Sequence, residues 1–454
     1  MASGVKNMTE GKPAKLIFSF AMSLMVGNIF QQFYTIVDTM VVGKGLGVNA
    51  LASLGAADWM NWMMLGIIQG FTQGFGIMMA QEFGGKRMDS LRKAVGSSAT
   101  LSLVFSVLLV ALGQGIVEPL LHLLQTPDTI IGGTLLYLRI MFFGIPIVMA
   151  YNLFACILRS LGDGKTPLYA MVVASITNVG LDLLFVFGFH WGIAGAAAAT
   201  LIAQAVSSVY CFYHIRKIEA LHLKGADFKL EVSLTGHLLM LGFPMAFQNA
   251  IIAIGGMIVQ SVVNGFGVIF IAGFTATNKL YGVLEIAATS YGYAMVTYVG
   301  QNLGAGKGQR IRQGMRSAIK IALVTAVIIA VCMLVFGKLI LGCFISGTPE
   351  VAEATMEIAY RYLAIMSICL PILYLLHVMR SSIQGMGNTV LPMLSGIVEF
   401  LMRTVAALLL PLLAGENGIY FAEILAWLGA DVVLVISYFY MRKKVLTGIA
   451  GENV

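Results

Sequence analysis

Residues 16–43 read LIFSFAMSLMVGNIFQQFYTIVDTMVVG, an apolar run broken by a single charge, Asp38, near its end. An α-helix needs about 20 mostly apolar residues to carry its backbone through about 30 Å of hydrocarbon, and this run exceeds that length. The stretch therefore reads as a membrane span.

Comparable runs follow at roughly 50–80, 92–117, 130–159, 166–189 and 192–215, and again at 236–263, 268–299, 314–341, 353–380, 389–413 and 418–441. Over 454 residues the chain is 59% hydrophobic and 11% charged, where a soluble domain carries about 25% charge. No water-soluble fold hides so much apolar surface. The predicted class is an all-α polytopic membrane protein with twelve transmembrane helices.

The basic residues test that count independently, because Lys and Arg collect on cytoplasmic loops. Lys86, Arg87, Arg92 and Lys93 follow span two, Arg159 and Lys165 span four, and Arg216, Lys217, Lys224 and Lys229 span six. Lys307, Arg310, Arg312 and Arg316 follow span eight, and Arg442, Lys443 and Lys444 close the series. The intervening loops hold Glu118, Asp128, Glu350 and Glu353, with Lys44 and Lys338 as exceptions. Both termini are expected in the cytoplasm, the protein in the inner (plasma) membrane, and the first span inserted uncleaved. The net charge of +7 is thus a topology signal and not a nucleic-acid surface. Five scattered cysteines predict neither a disulfide framework nor a zinc site.

The two halves echo each other. Gln81-Glu82-Phe83-Gly84 matches Gln301-Asn302-Leu303-Gly304, and Gly45-Leu46-Gly47 matches Gly265-Phe266-Gly267 at the same offset. Leu161-Gly162-Asp163 to Pro167 pairs with Met386-Gly387-Asn388 to Pro392. The expected organisation is a lead-in at 1–15, an N-lobe at 16–215, a cytoplasmic linker at 216–235, a C-lobe at 236–441 and a tail at 442–454. Copies with an even number of spans enter the membrane in the same direction, so their pseudo-symmetry axis runs along the membrane normal.

A charge inside hydrocarbon is costly and points to function unless it is neutralised. Spans one and five run the same way, which places Asp38 and Asp182 at similar depth. Span six brings Thr200 to that level, and Asn178 lies one turn from Asp182. Two carboxylates that share a dry site cannot both ionise cheaply, which suits reversible proton binding; beside amide and hydroxyl oxygens they also suit a bare cation such as Na⁺. The plain alternative is a hydrogen-bonded packing cluster.

Glu285 reads either as a substrate or proton contact or as a partner of Lys279, and Glu399 with Arg403, one turn on, as a structural ion pair. Arg139, Arg361 and Arg380 lie near span ends, where long side chains reach water, and Asp58 and Asp431 are grouped with them. Gln31, Gln32, Tyr34, Met64, Glu285 and Tyr291, with Trp59, Trp62 and Tyr293 nearby, form the expected substrate surface, ordinary helix packing and interface anchoring being the alternative for the aromatic and amide residues. No HExxH, GxSxG or Walker A motif is present, so no enzyme is expected.

Gln31-Gln32-Phe33-Tyr34-Thr35-Ile36-Val37-Asp38-Thr39, Leu158-Arg159-Ser160-Leu161-Gly162-Asp163 to Pro167, and Asn178 to Gly188 resemble signatures of the multidrug and toxic compound extrusion (MATE) family. The likeness runs over essentially the whole chain. It implies two pseudo-symmetric six-helix bundles in a V shape and a cation-coupled antiporter that works without ATP or another cofactor. Such a protein exchanges H⁺ or Na⁺ for amphipathic, often cationic organic compounds by alternating access. It also implies an ion site at Asp38, Asn178, Asp182 and Thr200, with Asn152 as a further member. Ser23 departs from the family, standing where many members have proline. The expected function is a monomeric drug/H⁺ antiporter with small organic molecules and the lipid bilayer as partners. A flippase of lipid-linked oligosaccharides and a passive channel are the rival readings.

Overall fold

The computed structural model describes residues 4–124, 126–345 and 348–451. The first three residues of the lead-in and the last three of the tail lie outside them. Thirteen α-helices follow one another: α1 Pro13–Leu46, α2 Val48–Gly84, α3 Met88–Leu123, α4 Asp128–Phe143, α5 Ile145–Ser160, α6 Lys165–Asp182, α7 Gly192–Ile215, α8 Val232–Val263, α9 Val268–Gly304, α10 Gly308–Gly342, α11 Pro349–Gly385, α12 Val390–Ala414 and α13 Ala422–Gly451. No strand occurs among the described residues.

These helices amount to the twelve expected spans. Nine stretches among the described residues are long and apolar enough to cross a bilayer, and the bent pair α4 and α5 makes a tenth. One of the nine, Val390–Lys443, holds both α12 and most of α13. Helix α9, with Lys279 and Glu285 inside it, is too polar to pass the same test.

The single span expected at 130–159 is instead broken, with α4 and α5 bent by 50° at Gly144. The cause is local: Pro146, in the first turn of α5, has no N–H for the helical ladder, and its ring displaces the carbonyl one turn back. Span five also changes character, because the ladder after Asp182 widens into a π-helical turn, Leu183–Gly188. Such single wide turns recur at functional sites.

The internal repeat is visible in the local geometry. Gly162 and Gly387 both take positive φ, 79° and 85°, as do Gly47 and Gly267 at 85° and 96°. Asp163 Oδ1 accepts from the N–H of Lys165 and of Thr166, both at 3.0 Å, and Asn388 Oδ1 accepts from the N–H of Leu391 at 3.0 Å. Matching acidic or amide residues thus cap matching helices.

The chain divides into two compact units, Met1–Asn7 with Ser23–Ala246, and Met8–Met22 with Phe247–Val454. The divisions fall between Asn7 and Met8, inside α1 and inside α8, while the linker packs wholly within the first unit. Along α3, Thr100 Oγ1 donates to the Phe228 carbonyl at 2.9 Å, and Lys93 pairs with Glu231 at 2.7 Å. In the second unit the start of the chain is tied down: the Met8 N–H donates to Gln301 Oε1 at 2.8 Å. Lys307 and Arg310 donate to the carbonyls of Thr9 and Gly11, each at 3.0 Å.

Within the first unit, α2 meets the opening half of α8 backbone to backbone. A side chain added at Gly70 would run into the backbone of Ala246, and one at Gly74 into the backbone of Gly242. Small residues four apart on both helices permit this approach. Gly74→Val is therefore expected to destabilise the protein by about 1–3 kcal/mol or more, since a backbone cannot rotate aside as a side chain does. A thermal unfolding midpoint in detergent unchanged from the parent's would show that the helices part at no cost.

Candidate functional site

Three helices of the first unit build the site. Helices α1 and α6 touch in rising register: Gly27 lies against Leu168, the Ser175 hydroxyl donates to the Phe30 carbonyl at 3.1 Å, and Gly45 meets Val186. The two helices therefore run parallel, and the register brings Asp38 beside Asp182. Their carboxyl groups interact directly across the two helices. Helix α7 adds Thr200, whose Oγ1 lies 3.5 Å from Asn178 Nδ2, at the long limit of a hydrogen bond.

Burial isolates this group. Asn178 and Asp182 are fully buried, and Asp38 is 8% exposed. Among the described residues no donor reaches Asp38 Oδ1, Asn178 Oδ1, either oxygen of Asp182 or Oε1 of Gln204. An array of buried acceptors without donors is unfavourable unless a proton or a cation joins it. The donor set of carboxylate, amide and hydroxyl oxygens fits either one.

Tyr34, one turn before Asp38, is buried, and its hydroxyl meets the side chains of Gln31 and Gln204. Sequence reading did not single out Gln204, although it stands one turn beyond Thr200 on α7, and that spacing was a usable signal. Asn152 does not join the cluster. On α5, its amide donates to the Val148 carbonyl of its own helix at 2.8 Å, and no hydrogen bond links it to the carboxylates among the described residues.

Beyond Asp182 the wide turn is pinned at its far end. Phe185 packs on Trp191 with ring centroids 4.7 Å apart, and on Phe189 at 5.9 Å. Of the expected substrate surface, Gln31, Gln32 and Met64 are half-buried, and Met64 packs against an apolar core of the first unit. Tyr291, in the second unit, is fully buried with its hydroxyl 2.9 Å from Thr325 Oγ1, and so belongs to the packed interior.

Other intramembrane charges resolve differently from expectation. Glu285 faces His377 Nε2 on α11 at 3.4 Å, and no ion pair with Lys279 occurs among the described residues. Glu399 and Arg403 do pair, at 2.8 Å, within a larger network: Arg380 Nη2 donates to Glu399 at 2.6 Å, and Arg403 also meets Glu423 at 2.8 Å. Arg380 is thus not a side chain reaching for water; it is 7% exposed, because α12 presents a carboxylate to it. Asp431 is likewise 8% exposed and not at a wet span end. Arg139 and Arg361 do reach outward, half-exposed beside Glu118 and Glu357.

Comparison with known proteins gives a consistent picture. A family model described as MatE matches residues 23–184 and 244–409. Probable multidrug resistance protein YpnP of Bacillus subtilis is 28% identical over 442 residues, covering 97% of this chain and 98% of its own length. Probable multidrug resistance protein YoeA of the same organism is 28% identical over 356 residues, covering 76% of this chain and 75% of its own. Among solved structures, a MOP superfamily transporter from Pyrococcus furiosus shares the fold with a TM-score of 0.90 at 20% identity, covering 99% of both chains.

Proposed function

The chain belongs to the MatE family, and on that premise we propose that it is a proton-coupled antiporter exporting amphipathic, often cationic organic compounds by alternating access. It is a multi-pass membrane transport protein and not an enzyme. We place it in the inner membrane with both termini cytoplasmic, working as a monomer.

The observation that carries this reading is the donor-free oxygen cluster around Asp38 and Asp182. One proton placed between the two carboxyls relieves their like-charge repulsion, and its departure leaves charge in a dry setting. Occupancy of the site therefore follows the proton supply on whichever side is open to it. Proton entry from outside favours substrate release, and proton loss inside resets the unit. The two Bacillus relatives, named as probable multidrug resistance proteins, support small organic molecules as cargo.

The same oxygens suit Na⁺, which makes a sodium-coupled exporter the second reading. A flippase for lipid-linked oligosaccharides is disfavoured, because Arg380 and Arg403 are both spent on buried carboxylates and offer no free guanidinium to a pyrophosphate.

Reconstitution into proteoliposomes with proton and sodium gradients imposed separately tests the choice. Efflux of an aromatic cationic dye against its own gradient is expected under the proton gradient alone. Efflux driven by sodium alone would replace the proton by Na⁺, and flux that only ever runs down the dye gradient would make the protein a passive channel.

A further inference from the structure

A second acidic group, in the other unit, is left over once the charges are paired. Arg380, Glu399, Arg403 and Glu423 form a network of two cations and two anions that is neutral by itself. Asp431, on α13, stands outside it. It lies within electrostatic range of Arg380 and Glu399 but beyond ion-pairing distance of any cation among the described residues. It is 8% exposed, and no donor reaches its Oδ1. The Arg380 Nε is also without a partner, while its Nη2 is held by Glu399 and Ser395.

Asp431 lies in the wall of a hollow of about 470 Å³ between α10, α11 and α13. Leu323, Pro371, Leu375, Leu428 and Val435 make the rest of the wall apolar. Val432 and Ile436, on the rim, are 60% and 66% exposed, and in a membrane-spanning chain an exposed apolar face meets lipid. The volume lies within the range of pockets that hold small organic ligands, and Asp431 is the one ionisable residue among its lining side chains.

We infer that this hollow is a binding site for an amphipathic organic cation entering from the bilayer, its charged centre against Asp431 and its apolar body between α10, α11 and α13. The charge complementarity is direct, because an added cation would face a carboxylate that no cation among the described residues pairs with. An anionic lipid headgroup would meet repulsion at the same place, and a neutral acyl chain would leave the carboxylate unmatched. The class of ligand rests on the reading of the chain as an exporter of such compounds; the place of the site does not rest on the role of Asp38 and Asp182.

The test is equilibrium binding and photolabelling of the purified full chain in lipid nanodiscs, with no ion gradient. The probe is a photoreactive tetraphenylphosphonium, and tetraphenylborate serves as competitor of like shape and opposite charge. The expected result is labelling of peptides from α11 and α13. Asp431→Asn should weaken that labelling about tenfold or more, as when a desolvated charge pair loses one partner. Asp431→Glu should restore much of it, Val435→Trp should block it by filling the hollow, and tetraphenylborate should not compete. If Asp431→Asn lowers the unfolding temperature, Val435→Trp decides the matter alone. Labelling that maps elsewhere, survives both variants or yields to tetraphenylborate would overturn the proposal. Because binding is read without transport, failure here leaves the dye-efflux result standing, and the reverse also holds.

Discussion

Asp38→Asn or Asp182→Asn leaves the protein folded in the membrane and reduces dye efflux driven by a pH gradient to the level of empty liposomes. The loss of transport follows if the proton is held between these two carboxyls, since neither variant retains a pair. The stability term has the opposite sign. Each native oxygen of Asp182 is a buried acceptor without a donor, and so is Oδ1 of Asp38. An amide in place of either acid supplies an N–H to the remaining carboxylate and removes one of two repelling charges, so the unfolding temperature should hold or rise. A cluster that served packing alone would behave otherwise, with transport kept and stability lowered. Efflux in either variant at the parent's rate would refute the coupling role.

The second large effect lies in the charge network of the other unit. Glu399 accepts from Arg380 at 2.6 Å and from Arg403 at 2.8 Å, with side chains no more than 8% exposed. Glu399→Gln strands Arg380 with only the Ser395 hydroxyl, while Arg403 keeps Glu423 and the Ile252 carbonyl. Removing one partner of a buried ion pair costs about 3–5 kcal/mol, because the other charge is left dry and unmatched. The expected outcome is a sharp drop in yield and in unfolding temperature. Replacing Arg380 and Glu399 together by Leu should recover much of the loss, since the stranded charge goes with its partner. A single variant as stable as the parent would show that water reaches the network.

The sequence revealed what depends on position along one helix. Apolar runs and alternating basic loops were enough for the span count, and counting residues inward from span ends placed Asp38 level with Asp182, because both helices run the same way. Partners drawn from distant helices were hidden. Glu399 and Arg403 are four apart and easily read as a pair, whereas Arg380 and Glu423 reach them from α11 and α13. Glu285 finds His377 across helices, and no spacing rule joins residues so far apart in the chain. The break at Gly144 was legible in principle from Pro146, since a missing N–H leaves a mark in composition. The wide turn after Asp182 leaves no such mark: it is a choice of backbone register settled by packing, here of Phe185 against Trp191.

The placement of the unit boundaries inside α1 and α8 has a consequence for anyone who cuts the gene in two. Severing the chain at the linker looks natural, yet it would send residues 8–22 off with a fragment to which they do not belong, and leave Gln301, Lys307 and Arg310 without the backbone they hold. The complementary piece would carry residues 232–246 away from Gly70 and Gly74. Neither product is a self-sufficient half, so the pieces must be made together and exchange these end segments before either is whole.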